Sequence, residues 1–156
     1  MLSILQSGKR VINVDETWLP CSDFRNKKWQ IKGLKNSVPE KIISYRVNMI
    51  AALDNEGKVY VSLTQFNTDT EVMLLFLSRL AQVLSQESTD WRSNTVILLD
   101  GATYHKAEET RKHMINLGLE VMFTAPYSYE SSPIELFFAY FKKGDINPEA
   151  MKTGKR

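Results

Sequence analysis

Apolar residues recur along this chain in two different periods. Residues 10–19 read RVINVDETWL, a run rich in β-branched and aromatic side chains that predicts a first strand. Runs at 45–53 and 58–66 predict two more. Between them, Asp54-Asn55-Glu56-Gly57 predicts a hairpin turn, with Gly57 supplying the positive φ that many tight turns need. The period then changes. Met73, Phe76, Leu77, Leu80 and Leu84 share one face of a helix over 69–86, and Thr68 with Glu71 reads as a capping box at its start. The run TVILL within 94–100 suits a strand covered on both faces, and it ends in an acid. A helix over 106–117 closed by Gly118, a strand over 119–125 and a last helix over 133–143, ended by Gly144 and Pro148, complete the pattern. An antiparallel meander followed by β-α-β units predicts an α/β domain, a mixed five-stranded sheet with helices on both faces.

The 156 residues suit one domain, with its core over about 10–143 and a polar, basic tail over 144–156. A content of 43% hydrophobic and 24% charged residues argues against wholesale disorder, while a net charge of +2 says little about partners. Cys21 is the lone cysteine, so no internal disulfide forms and a reducing compartment fits. No signal peptide and no membrane-spanning run is apparent, which predicts a soluble intracellular protein with no membrane partner.

Three acids stand out by position. Asp15 lies inside an apolar strand, Asp100 ends a buried one, and Glu135 opens a helix after a proline-bearing loop. Acids at strand ends and helix starts can converge on one edge of an α/β sheet, where ligands usually bind. Each also has a plainer reading. Ser132, Pro133 and Glu135 fit an N-cap, a first helical position and the Glu of a capping box. Asp100 before Gly101 fits a turn, and Asp15 beside Glu16 fits a half-exposed strand acid. A nucleotide-hydrolase reading of Asp100 fails because no GxxxxGK[ST] precedes it.

The segments INVDETW, LLDGATYHK and APYSYESSPIELFFAYFK, in this order, resemble the three acidic motifs of mariner-like DDE transposases. Between Asp100 and Glu135 lie 34 residues, the spacing of one class of that superfamily. The resemblance implies an RNase H-like fold and a catalytic, metal-holding set of Asp15, Asp100 and Glu135. It further implies two Mg²⁺ or Mn²⁺ ions, and DNA cleavage followed by strand transfer. Gly101 stands where the family usually has Asn, Tyr129 where it commonly has Pro, Ser132 where it has Asn, and Phe138 where it has Trp. Fourteen residues precede Asp15, too few for a helix-turn-helix module. The expectation is therefore a catalytic domain that relies on a second subunit or a separate DNA-recognition protein. The alternative is a domesticated or decayed domain that binds DNA or a protein partner without catalysis.

The expected DNA contacts are basic. Arg25, Lys27, Lys28, Lys32 and Lys35 surround Trp29 in a stretch without acids, suited to phosphate contacts and base stacking, or else a solvated hairpin. Lys142 and Lys143 form a second candidate patch. His105, where the family often has a His, is expected to touch DNA or to sit behind the acids. With DNA as partner, the protein is expected in the nucleus of a eukaryote or at the nucleoid of a bacterium.

Overall fold

Alternation along the first strand divides the molecule into two layers. The computed structural model describes residues 8–20, 46–124 and 132–143. Five strands form one sheet: β1 (Arg10–Pro20), β2 (Arg46–Asp54), β3 (Val59–Thr64), β4 (Thr95–Leu99) and β5 (Glu120–Phe123). The helices are α1 (Thr70–Glu87), α2 (Trp91–Asn94), α3 (Glu108–Asn116) and α4 (Pro133–Lys143). The sheet order is β3-β2-β1-β4-β5. β1 pairs antiparallel with β2, and β2 with β3, while β4 pairs parallel with both β1 and β5. The expected mixed five-stranded sheet is present.

Even-numbered residues of β1 face one layer and odd-numbered residues the other, as the two-residue period of a strand requires. Ile12 and Val14 join Ile50, Ala52, Ile97 and Leu99 in a core closed by Met73, Phe76, Leu77, Leu80 and Leu84 of α1 and Met114 of α3. On the other face, Met49 and Ala51 pack against Ile134 and Phe138 of α4. Helices therefore cover both faces. β4 is buried along its whole length, which explains its unbroken apolar run. Each fully buried Leu, Ile or Met contributes roughly 1.5–3 kcal/mol. No helix among the described residues is long and apolar enough to cross a membrane.

The turns follow local chemistry. Gly57 takes φ 87° in the β2–β3 hairpin, where its N–H bonds the Asp54 carbonyl at 3.1 Å. Gly118 takes φ 69° after α3, and the bonds Gly118 N–H to Ile115 and Leu119 N–H to Met114 close the helix end. The start of α1 departs from expectation: the cap is Asp69, whose carboxylate accepts the Val72 N–H at 3.0 Å, in place of the Thr68–Glu71 pair. A carboxylate at that position also favours the positive end of the helix dipole. The short α2 was not expected. It buries Trp91, over whose ring Arg92 lies at 4.5 Å. His113 hydrogen-bonds Ser78 at 2.7 Å and so ties α3 to α1.

One end of the sheet is held by an ionic network. Arg10 reaches Asp54 at 2.7 Å and Glu87 at 3.0 Å, and Tyr60 joins both Arg10 and Glu87. The Asp54 side chain is fully buried and also accepts the N–H groups of Glu56 and Lys58. Removing Asp54 takes from Arg10 its most buried partner and leaves the Glu56 and Lys58 N–H groups without their acceptor. Asp54→Ala should therefore destabilise the fold by about 3–5 kcal/mol, read from urea unfolding. A loss below about 1 kcal/mol would match a mere surface pair instead.

Candidate active site

The three acids come from three elements. β1 and β4 run parallel in the register Arg10↔Thr95 through Asn13↔Leu98. Continuing that register two residues sets Asp15 beside Asp100, which directly follows β4. Both lie on the α4 side of the sheet by strand alternation. Glu135 is in the first turn of α4. That turn is tied to β1, since Asn13 Oδ1 accepts from the Ser132 hydroxyl at 2.7 Å and from the Ile134 N–H at 3.3 Å. The Glu135 N–H bonds the Ser132 backbone carbonyl, while the Ser132 hydroxyl donates to Asn13. The plain capping-box reading of Ser132 is corrected to that extent.

The electrostatics follow from this convergence. Burial pushes the Asp15 carboxyl up to about 6, and the charges of Asp100 and Glu135 add to the rise against a lowering bond from the Glu16 N–H. Glu16, on the opposite side of β1, is pushed up to about 7 by burial and then by the charges of Asp15 and Asp100. Both groups sense Asp100 from either side of the same strand.

Asp100 is held from behind. Its Oδ1 accepts from the Ala102 N–H at 3.0 Å and meets His105 Nδ1 at 2.6 Å. His105 is fully buried, with the Tyr104 ring packed edge-on at 4.4 Å. It therefore does not present itself to DNA, and the expectation that it would do so is corrected: it orients the second acid. Its other nitrogen lies 3.9 Å from Glu16 Oε2. An Asn at position 101 would be tolerated, because a Cβ there meets only the tip of the Lys106 side chain at 3.0 Å.

The three carboxylates are the oxygen donors a hard divalent cation prefers, and burial first, then the charges of Asp100 and Glu135, raise the proton affinity of Asp15. Among the described residues no group of three or more His, Cys, Asp or Glu side chains is gathered closely enough to hold a metal ion by itself. An ion held here would complete its shell with water and phosphate oxygens, as Mg²⁺ commonly does. Lys142 stands exposed near the end of α4, with its ammonium 5.8 Å from the Trp18 ring. Lys143 closes the same helix. Arg25, Lys27, Lys28, Trp29, Lys32 and Lys35 lie outside the described residues. Sequence reasoning missed Asn13 and Glu16. The signal for Asn13 was a lone amide in an apolar strand two residues before an acid.

A family profile described as DDE superfamily endonuclease matches residues 10–155. Among solved structures, the Mos1 mariner paired-end complex with Mn superposes with a TM-score of 0.74 at 18% identity, covering 98% of this chain and 50% of that one. The catalytic domain of Mos1 mariner transposase gives 0.68 at 16% identity, with 98% and 73% covered. The Mos1 catalytic domain with raltegravir and Mg gives 0.62 at 18%, with 84% and 58% covered. At these identities the likeness speaks for the fold, which is RNase H-like. The chain spans about half the length of the full Mos1 chains it matches. None of the curated proteins compared with it matches.

The raised acids give a pH signature. Unfolded, Asp15 and Glu16 titrate at their ordinary 3.8 and 4.5; folded, at about 6 and about 7. The folded chain thus binds these protons more tightly. The stability they lend is complete below the unfolded values and lost as pH rises through the folded ones. In chelator, the chain should be less stable at about pH 8 than at about pH 5, by up to a few kcal/mol at about 1.4 kcal/mol per pH unit of displacement. Asp15→Asn should flatten the curve. Urea unfolding at the two pH values checks this, and stability rising between them would contradict the clustering of acids.

Proposed function

The chain belongs to the DDE superfamily endonucleases, and from that premise we propose that it cleaves DNA strands and joins the freed end to target DNA, as a transposase catalytic domain. The observation that supports this reading is the parallel register of β1 and β4, which continued by two residues sets Asp15 beside Asp100, with the charges of Asp100 and Glu135 adding to the raised proton affinity of the buried Asp15. The Mos1 structures include a strand transfer complex and forms with Mn or Mg. Carried to this chain, they support DNA as substrate and a divalent cation as cofactor.

Asp15, Asp100 and Glu135 are the proposed holders of two Mg²⁺ or Mn²⁺ ions. When bound, such ions polarise the scissile phosphate and make water a better nucleophile near neutral pH. His105 and the Ala102 N–H fix Oδ1 of Asp100, so the carboxylate meets its ligand in one orientation. Burial of Asp15 keeps its charge poorly solvated and thus ready to accept a cation. In cleavage a water oxygen bonds to phosphorus as the bond to the 3′-oxygen breaks, leaving a 3′-hydroxyl. In strand transfer that hydroxyl attacks a target phosphate. The basic residues of 25–35, with Lys142 and Lys143, are the proposed phosphate contacts. A second subunit or a separate DNA-recognition protein would supply sequence choice. Such work sets the protein beside the genome, in a nucleus or a nucleoid.

Nicking of supercoiled DNA in Mg²⁺ or Mn²⁺ is the direct test. Asp15→Ala, Asp100→Ala and Glu135→Ala should each cut the rate by more than about a hundredfold, beyond the 10–100-fold typical of residues behind a metal's ligands. Full activity in Asp100→Ala would end the reading. DNA affinity gives a second test. Binding should be nearly sequence-independent and steeply salt-dependent. Replacing Lys27, Lys28 and Lys32 with Ala should flatten the salt slope by up to about three units if each contacts one phosphate. Tight binding to one sequence at physiological salt would contradict this.

A further inference from the structure

Asn13 is a buried amide in an otherwise apolar stretch of β1, and it reaches every element that carries an acid. Its Nδ2 donates to the Leu98 carbonyl of β4 at 3.4 Å. Its Oδ1 accepts from Ser132 at 2.7 Å and from the Ile134 N–H at 3.3 Å. The contacts stand one to three residues from an acid. Asn13 precedes Asp15 by two, Leu98 precedes Asp100 by two, and Ile134 adjoins Glu135.

A side chain chosen only to fill this layer would be apolar, like Met49 and Ala51 of β2 on the same face. An amide at 5% exposure has to satisfy every polar atom, and this one does so only by joining three separate elements. The first N–H groups of a helix lack partners within the helix. In α4, Pro133 has no N–H to offer, and the Ile134 N–H is satisfied from β1 rather than from its own preceding turn. The start of the helix is thereby fixed to the strand that carries Asp15. Ile134 and Phe138 seat α4 on the sheet by apolar contact, which is not directional. The hydrogen bonds to Asn13 are directional and set where along β1 the first turn sits.

We propose that Asn13 is a positioning residue that sets the first turn of α4, and with it Glu135, against Asp15 and Asp100. The inference rests on the reading of those three acids as the metal-holding set.

The test uses the whole chain and Mn²⁺ alone as the probe, well below each variant's melting temperature. Asn13→Leu keeps similar bulk and removes all three hydrogen bonds. Leu84→Ala, in the core on the far side of the sheet, is the matched control for lost stability alone. Amide exchange by NMR should quicken about tenfold or more at Ile134 and Glu135 in Asn13→Leu while Ala52 and Leu80 keep their protection. Mn²⁺ affinity by calorimetry should fall about tenfold in Asn13→Leu, in the range of residues that orient metal ligands, and stay unchanged in Leu84→Ala. Asn13→Thr, which suits a strand and keeps one hydroxyl, should lose less and serves if Asn13→Leu does not fold. Unchanged exchange at Ile134, or an equal loss of Mn²⁺ affinity in Leu84→Ala, overturns the proposal. Should Asp100→Ala leave Mn²⁺ binding intact, the metal reading itself fails. The exchange rates then decide alone whether Asn13 seats α4.

Discussion

Everything in this molecule hangs on the parallel pairing of β1 with β4. That ladder joins the antiparallel half, β1 to β3, to the β-α-β half, and it alone brings residue 15 beside residue 100. It also forces like charges together, which is unfavourable without a cation. Apolar burial offsets this. Ile12, Val14, Ile97 and Leu99 sit under the same ladder on the α1 side, each contributing roughly 1.5–3 kcal/mol, against about 1.4 kcal/mol for each pH unit by which an acid is displaced. The site can therefore remain electrostatically strained while the strand beneath it stays in register.

The two ends of the sheet illustrate opposite uses of charge. At one end, Glu87 is partly desolvated, yet bonds from Lys58 and Arg10 hold its carboxyl down at about 2. Arg10 and Asp54 are likewise matched. At the other end Asp15 and Glu16 have no basic partner among the causes acting on them, and both are displaced upward. The first arrangement is self-sufficient and holds the fold. The second keeps perturbed acids together, a pattern common at functional sites.

Much of this was legible in the chain. The last helix matches its expected span, the hairpin at Gly57 and the helix end at Gly118 follow from local turn chemistry, and the three acids fall on the elements their spacing suggested. What escaped was what local pattern does not encode. Thr68 and Asp69 both offer cap oxygens one residue apart, and only geometry chooses between them. The four residues of α2 are too few to show a period. Asn13 and Ser132 are 119 residues apart, so their bond leaves no trace in either neighbourhood. For His105 the chain left contact with DNA and a place behind the acids both open, and its burial against Asp100 and Tyr104 decides between them.

The order in which the acids occur along the chain has a consequence during synthesis. Asp15 lies on the first of the described strands, and its partner strand follows some eighty residues later. Glu135 belongs to the last described helix and is seated through a bond back to the first strand. Domains form N-terminal elements first as they leave the ribosome, while long-range contacts wait for their partners. The hairpin of β2 and β3 can close early, but a nascent chain holds one acid, then two, and gains the third only when nearly the whole domain has emerged. A broken or half-made copy thus never assembles the full set of acids.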